Sequence, residues 1–182
     1  MTRWSAVWER KGELDTRDLV ELDGFEHTRI DAEGAALEIA ALLAIEPKDR
    51  ILEVGCGAGM IAQYLTCDYL GVDYAGSLTR KMRQILGRQV VRSEARHLPF
   101  RDGAFDKALL FSVCHYFPDH AYAHDAIAEL RRVARKAIFV GDLPLRSHSP
   151  DHLLFEPHFF AGWEISPGFY RPERFNALKR LG

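Results

Sequence analysis

The chain has 182 residues, which favours a single domain with one substantial core and leaves no room for the second domain of a typical dehydrogenase. Its 24 Lys and Arg against 26 Asp and Glu give a formal net charge of −2, so charge supplies no reason to expect nucleic acid as a partner. The three cysteines form no CxxC pair, which argues for a reducing compartment and against a zinc site.

The N-terminal residues lack the apolar stretch of a signal peptide, and no apolar run approaches the length of a membrane span. We therefore expect a cytoplasmic protein without a membrane partner. We also expect one domain over residues 1–182, in which residues 1–45 form a helical lid or cap and residues 46–182 form the core.

The N-terminal segment carries two tryptophans with helical spacing. Trp4 and Trp8 are four residues apart, which places both indoles on one face of a short helix. Two interpretations remain open: these residues and His27 form a lid over a pocket, or they pack on the outside of the sheet. Asp31 is the candidate N-cap of the next helix.

Strands and helices then alternate. Strands are predicted at residues 50–54, 69–73, 89–92, 105–111 and 137–141, and helices at 32–44, 60–65, 78–86 and 121–134. This alternation predicts right-handed crossovers and a parallel sheet covered by helices on both faces. In the tail, residues 144–150 are predicted as loop and 152–160 as containing a short helix, and the last two strands are expected at 163–165 and 174–181.

The sequence ILEVGCGAGM at residues 51–60 is the most informative segment. A buried strand runs into three alternate glycines, Gly55, Gly57 and Gly59, and such a turn brings backbone N–H groups close to a ligand. The acid Glu53 would repel a phosphate and attract an ammonium or sulfonium group. The spacing also departs from Gly-x-Gly-x-x-Gly, so a nicotinamide dehydrogenase fits poorly.

The pattern E-x-G-x-G-x-G at residues 53–59 resembles the first motif of class I methyltransferases that depend on S-adenosylmethionine (SAM). Three more segments resemble the family's motifs in its order: residues 72–73, SEARHLPF at 93–100 and FDKALLFSVCHY at 105–116. The resemblance covers about residues 45–142 and is to type 11-like, small-molecule members. It implies an α/β, Rossmann-like sheet of seven mostly parallel strands with the last one antiparallel, SAM as cofactor, and S-adenosylhomocysteine (SAH) as product.

The resemblance also implies the residues that hold the cofactor. Asp73 would accept from the ribose hydroxyls, or merely cap a helix. Tyr74 would pack against adenine, while Glu94 and Ala95 would contact its edge, unless Glu94 is a solvated loop acid. Cys56 is expected to fill space. The predicted cofactor set is Glu53, Gly55, Cys56, Gly57, Gly59, Asp73, Tyr74, Glu94, Ala95 and Ser112.

His115 is the candidate catalytic residue. It follows the fourth strand, where ligands lie in open α/β sheets, and imidazole can accept a substrate proton near neutral pH. The alternative is that it only lines the pocket or caps the next turn. The candidate substrate residues are Trp8, Tyr116, Asp142, His148 and His152. No metal is expected, because Pro150 interrupts the helix that would align His148 and His152 on one face.

The expected function is methyl transfer from SAM to an O or N atom of a small-molecule acceptor, such as a sugar or a secondary metabolite. Residues 22–26 and 174–176 resemble short methyltransferases of polysaccharide and secondary-metabolite pathways. The alternative is a catalytically silent subunit that binds SAM or activates a partner.

Overall fold

The computed structural model describes residues 3–147 and 149–182. They form one seven-stranded sheet in the order β3-β2-β1-β4-β5-β7-β6. The strands are β1 (Arg50–Val54), β2 (Asp68–Asp73), β3 (Gln89–Arg92), β4 (Phe105–Phe111), β5 (Ala134–Pro144), β6 (Glu164–Pro167) and β7 (Arg174–Arg180). The α-helices are α1 (Arg3–Gly12), α2 (Leu19–Leu22), α3 (Ala32–Leu42), α4 (Gly76–Leu86) and α5 (His120–Val133).

The predicted sheet is confirmed. Strands β1 to β5 are parallel, and β7 runs antiparallel to both of its neighbours, β5 and β6. Strand β4 is buried along its whole length, as expected for an apolar strand in the middle of a sheet with both faces covered. The carboxyl ends of β1, β2 and β4 therefore meet at one edge, where ligands bind in folds of this kind.

Two local signals for helix ends are also confirmed. Asp31 caps α3, because its carboxylate accepts from the Gly34 N–H at 2.9 Å. Gly87 ends α4 in the left-handed conformation with a φ of 64°, which glycine adopts without strain.

The prediction of a helix directly after the glycine loop, at residues 60–65, is wrong. Residues 60 and 61 form a turn, and Ala62–Tyr64 form a single 3-10 turn before the chain becomes extended at Leu65. The connection from β1 to β2 has about a dozen residues, which is near the minimum for a parallel crossover. The glycine loop takes residues 55–59 of this connection, and residues 60–67 contain only a turn, the single 3-10 turn and the extended approach to β2.

The fifth strand and the tail differ from prediction in extent. Strand β5 spans Ala134–Pro144, so it includes the start of the segment predicted as loop, and its pairing with β7 shifts after Val140. The short helix expected in residues 152–160 is a 3-10 turn over Pro157–Phe160. Strand β7 is buried on both faces from Arg174 to Leu178, which explains why its sequence does not alternate.

The N-terminal helix α1 lies against α4. The Glu9 carboxylate accepts from the backbone N–H groups of Gly76 and Ser77, at 3.0 and 2.9 Å, and so caps the start of α4. Gly12 allows the close approach, since a β-carbon there would lie 2.4 Å from Ser77 Oγ. Within the described residues, no helix combines the length and apolar character that a bilayer crossing needs.

Candidate active site

A cavity of about 360 Å³ lies at the carboxyl edge of the sheet. It brings together nine of the residues predicted for the cofactor: Glu53, Gly55, Cys56, Gly57, Asp73, Tyr74, Glu94, Ala95 and Ser112. Gly59 is not among the lining residues. A β-carbon on Gly59 would lie 2.6 Å from Leu86 Cδ1, so this glycine serves the packing of α4 against the loop.

The first two glycines bend the chain around the cavity. Gly55 and Gly57 have φ values of 74° and 55°, a conformation that side chains disfavour. A β-carbon would lie 2.3 Å from Val113 Cγ2 at position 55 and 2.2 Å from Asp23 Oδ1 at position 57. Both positions therefore need glycine for backbone conformation and for space.

Glu53 is buried at the end of β1, with 3% of its surface exposed. Its Oε2 accepts from the Tyr69 hydroxyl at 2.5 Å. Burial raises the pKa of Glu53 to about 8, against the lowering effect of that bond and with help from the charges of Asp23 and Asp73. A positive group in the cavity would stabilise its ionised form.

Asp73 connects the glycine loop to the start of α4. Its Oδ2 accepts from the Gly57 N–H at 2.9 Å and its Oδ1 from the Ala75 N–H at 2.8 Å. Burial raises the pKa of Asp73 to about 6 despite these bonds. Asp73 does not cap α4 itself, because its partner Ala75 precedes the helix, and its carboxylate also lines the cavity, where oxygen lone pairs remain for a ligand.

Tyr74, Ala95 and Tyr122 also line the cavity. The Tyr74 hydroxyl is buried and has no hydrogen-bond partner among the described residues. Glu94 is exposed and its carboxylate accepts from Arg96 Nε at 3.2 Å, so its side chain has a surface partner. Tyr74 and Tyr122 therefore offer two aromatic rings to the cavity, and Tyr74 also offers a buried donor.

Ser112 directly follows β4, and Asp142 lies near the end of β5. Both adopt positive φ values, 57° for Ser112 and 60° for Asp142. Such values are uncommon for residues other than glycine and cluster at functional sites. Ser112 lines the cavity and donates to Asp142 Oδ2 at 2.7 Å, and the Tyr170 hydroxyl donates to the same oxygen at 2.8 Å.

Asp142 lies behind Ser112 rather than on the cavity wall, with 2% of its surface exposed. Its Oδ1 lies 3.8 Å from Arg174 Nε, too far for a hydrogen bond, and neither atom has another partner in the described part of the chain. Burial raises the pKa of Asp142, although Arg174 and the two hydroxyls oppose this.

His115 belongs to an aromatic cluster next to the cavity. It is 2% exposed and is not among the lining residues, whereas Tyr116 is. The centroids of the Tyr116 ring and the rings of His115, Trp8 and His152 are 4.0, 5.0 and 5.3 Å apart. His115 therefore contacts the cavity wall at Tyr116 but does not itself line the cavity.

Of the three predicted lid residues, only one lines the cavity. Trp8 lines the cavity, and Trp4 lies behind it with its ring centroid 4.8 Å from that of Tyr116. His27 is exposed and is not among the lining residues. His152 contacts the cluster and its Nδ1 lies 2.5 Å from Ser147 Oγ. The predicted substrate residue His148 lies outside the described residues.

Asp23 is the main site residue that sequence reasoning missed. It follows α2 and lines the cavity, and its carboxylate contacts the glycine loop. The only signal was an acid before Gly24 in a segment noted for its resemblance, and Asp-Gly is also an ordinary turn. Nothing local to the segment indicates a contact 35 residues away.

Comparisons with known proteins agree with this geometry. The family model described as "Methyltransferase domain" matches residues 52–139. The phthiotriol/phenolphthiotriol dimycocerosates methyltransferase of Mycobacterium leprae is 38% identical over 94 residues, which cover 47% of this chain and 34% of the relative. The fatty-acid O-methyltransferase of Mycolicibacterium smegmatis is 36% identical over 87 residues, 43% of this chain and 31% of that protein.

Structural similarity extends over nearly the whole chain. The magnesium protoporphyrin IX methyltransferase of Synechocystis PCC 6803, crystallised with SAH, has a TM-score of 0.71 and 12% identity, covering 99% of this chain and 95% of its own. This likeness shows the fold. In contrast, the matched part of the chain spans only about a third of the length of the curated relatives. Together, the motif order, the seven-stranded sheet and the match over residues 52–139 support a class I, SAM-dependent methyltransferase domain, with SAM as its cofactor.

Proposed function

We propose that the protein transfers a methyl group from SAM to an O or N atom of a small-molecule acceptor. One observation carries this proposal: Asp23, Glu53 and Asp73 line the same cavity beside the glycine loop. Among the described lining residues, Arg96 is the only basic one, and it pairs with Glu94. Glu53 and Asp73 are buried and Asp23 is half-buried, and buried carboxylates without a cationic partner favour a cationic ligand.

The residues present fit SAM. We assign the ribose hydroxyls to Asp73, the adenine to Tyr74 and Ala95, and the amino-acid part to the glycine loop near Glu53. The cavity volume lies within the usual range for cofactor sites. When bound, SAM supplies an electrophilic methyl group on a sulfonium sulfur.

The rest of the cavity is the proposed acceptor site. We assign its walls to the aromatic lining residues Trp8, Phe25, Phe111 and Tyr116, and the only basic residue among the described lining residues, Arg96, is already paired with Glu94. An anionic acceptor would lose hydration there without gaining a partner. We therefore infer a neutral or cationic acceptor with an apolar or aromatic face, as many secondary metabolites have.

The chain contributes mainly by holding the acceptor in place and excluding water. A rigid aromatic wall orients the attacking atom, and such positioning supplies a large share of the acceleration in two-substrate reactions. Residues 1–45 are proposed to act as the cap, because Ser5 and Trp8 of α1 close one side of the cavity and Glu9 holds α1 on α4.

The acceptor must also lose a proton. His115 is the proposed base, acting next to Tyr116, while Asp142 behind Ser112 is the second candidate. Ser112 can receive a hydrogen bond from an acceptor hydroxyl while it donates its own to Asp142. Substitution of each residue separately distinguishes the two routes.

A screen tests the proposal directly. The protein is incubated with methyl-labelled SAM and a library of phenols, amines, glycosides and fatty acids, and label transfer and SAH release are measured. Transfer to a neutral or cationic acceptor would support the proposal. Tight SAM binding with no transfer to any compound would favour the alternative, a silent SAM-binding or partner-activating subunit. Absence of SAM binding would contradict both.

A further inference from the structure

Asp23 occupies the backbone donors of the glycine loop. Its Oδ1 accepts from the Ala58 N–H at 2.6 Å, and its Oδ2 accepts from Gly59 and Met60 at 3.2 and 2.8 Å. These three N–H groups belong to the turn after the loop, and successive backbone N–H groups in a turn are an ordinary binding site for an anion. The chain therefore supplies its own carboxylate at the place where a ligand's carboxylate or phosphate would bind.

The neighbouring glycines are shaped around this contact. A β-carbon on Gly57 would lie 2.2 Å from Asp23 Oδ1, so this glycine makes room for the carboxylate. A β-carbon on Gly24 would lie 2.8 Å from Trp8 Cη2, so the next glycine makes room for the lid tryptophan. Asp23 and Gly24 thus connect the loop, the cavity and α1.

The charge of Asp23 has no cationic partner on its cavity side. It lines the same cavity as Glu53 and Asp73, and the described lining includes only Arg96 as a basic residue, already paired with Glu94. A carboxylate has about four acceptor sites, and the loop uses three of those on Asp23. The remaining capacity is available to a donor within the cavity.

We propose that Asp23 binds the α-ammonium group of SAM and, through its bonds to Ala58, Gly59 and Met60, positions the loop that carries the cofactor. The inference rests on the proposed cofactor site and adds a residue from the N-terminal segment to it. Glu53, held by Tyr69, is then the second acid facing the ammonium. The N–H groups of Ala58, Gly59 and Met60 already donate to Asp23, so in this proposal they do not bind the carboxylate of the cofactor.

Two ligands separate this role from general stability. SAH contains the ammonium group, whereas 5′-methylthioadenosine contains the same nucleoside and thioether without the amino acid. We expect Asp23→Asn to weaken SAH binding roughly 10- to 100-fold, since it removes a charge-assisted hydrogen bond, and to change methylthioadenosine binding by less than about threefold. Isothermal titration calorimetry at pH 7.5 measures both affinities.

Asp31→Asn is the matched control. Asp31 also accepts from a backbone N–H at a helix start in the N-terminal segment, but it is not a cavity residue. We expect it to leave both affinities unchanged. If Asp23→Asn does not fold, Asp23→Ser carries the same test, because its hydroxyl also accepts from backbone N–H groups and has no charge.

The outcomes are distinct. Selective loss of SAH affinity supports the proposal. Equal loss for both ligands, no loss, or tighter SAH binding would overturn it, because the ammonium would then not depend on the Asp23 charge. Failure of the unchanged protein to bind either ligand would contradict the cofactor site itself, and the proposal would fail with it.

Discussion

The two edges of the sheet use buried acids in opposite ways. At the amino edge, Asp49 is fully buried and accepts from Lys107 and Lys136. Burial alone would raise the pKa of Asp49, but these two cations hold it well below its ordinary value. At the carboxyl edge, burial raises the pKa of Glu53 to about 8 and that of Asp23 to about 7.

The difference lies in the partners rather than in burial. An acid paired inside the chain contributes to the folded state, and an acid facing a cavity without a cation is costly until a ligand supplies one. Raised pKa values in a cleft are therefore informative about function, whereas lowered values in an ion-pair network indicate a structural role.

The largest expected effect concerns the amino edge. Lys107→Met removes a buried cation that donates to Asp49 and to the Ala44 carbonyl, and we expect a loss of about 3–5 kcal/mol in the free energy of unfolding. Urea denaturation measures the loss. Lys48→Met is the control, because its pair with Glu46 is exposed and should be worth less than about 1 kcal/mol. A change in SAH affinity of the folded Lys107 variant would contradict the separation of the two edges.

The next effect concerns Asp73. Asp73→Ala removes the acceptor for Gly57 and Ala75 and for the proposed ribose contact, and we expect SAH affinity to fall roughly 100-fold or more. Calorimetry measures the affinity. Asp68→Ala, at the exposed start of the same strand, should leave it unchanged. Normal SAH affinity in the Asp73 variant would remove Asp73 from the site.

A third prediction concerns a change in turnover that leaves cofactor affinity nearly unchanged. His115→Asn is expected to lower kcat roughly 100-fold, the usual contribution of a general base, and to leave the Kd for SAH within about threefold. The exposed His124→Asn is the control. SAH release with the acceptor from the screen measures kcat. If kcat is unchanged in His115→Asn and falls in Asp142→Asn, the proton acceptor is Asp142.

The smallest effect is a pH dependence. In the ligand-free protein, Asp23, Glu53 and Asp73 have raised pKa values, so the folded state binds more protons than the unfolded state between about pH 4 and 8. Their contribution to stability is full below their unfolded pKa values and is lost as pH rises through the folded ones. Asp49 acts oppositely, since its contribution is lost only as pH falls below its unfolded pKa.

A ligand that carries an ammonium group, such as SAH, should reverse that loss, because the ammonium stabilises the ionised acids. We expect the increase in Tm caused by SAH to be larger at pH 7.5 than at pH 5.5, by roughly 3 °C. Glu53→Gln should reduce this difference, while Glu46→Gln at the surface should not. An equal shift at both pH values would show that the acids do not ionise on binding.

Much of the fold could be predicted from local patterns. Strands β1, β3 and β4 have the predicted bounds, because a short apolar run between turn residues has few alternatives inside a covered sheet. The cap at Asp31, the stop at Gly87 and the glycine loop also depend on adjacent residues only. The cavity accordingly contains nearly all residues of the predicted cofactor set.

Only the tertiary structure decided the contacts between residues that are far apart in the sequence. Asp23 reaches the glycine loop from α2, Asp49 finds its cations on β4 and β5, and Ser112 meets Asp142 behind the cavity. A single 3-10 turn replaces the helix expected after the loop, and β7 lacks alternation because it is covered on both faces. Local sequence determines backbone conformation through neighbouring residues, whereas the partner of a buried charge depends on the path of the chain, which no local pattern contains.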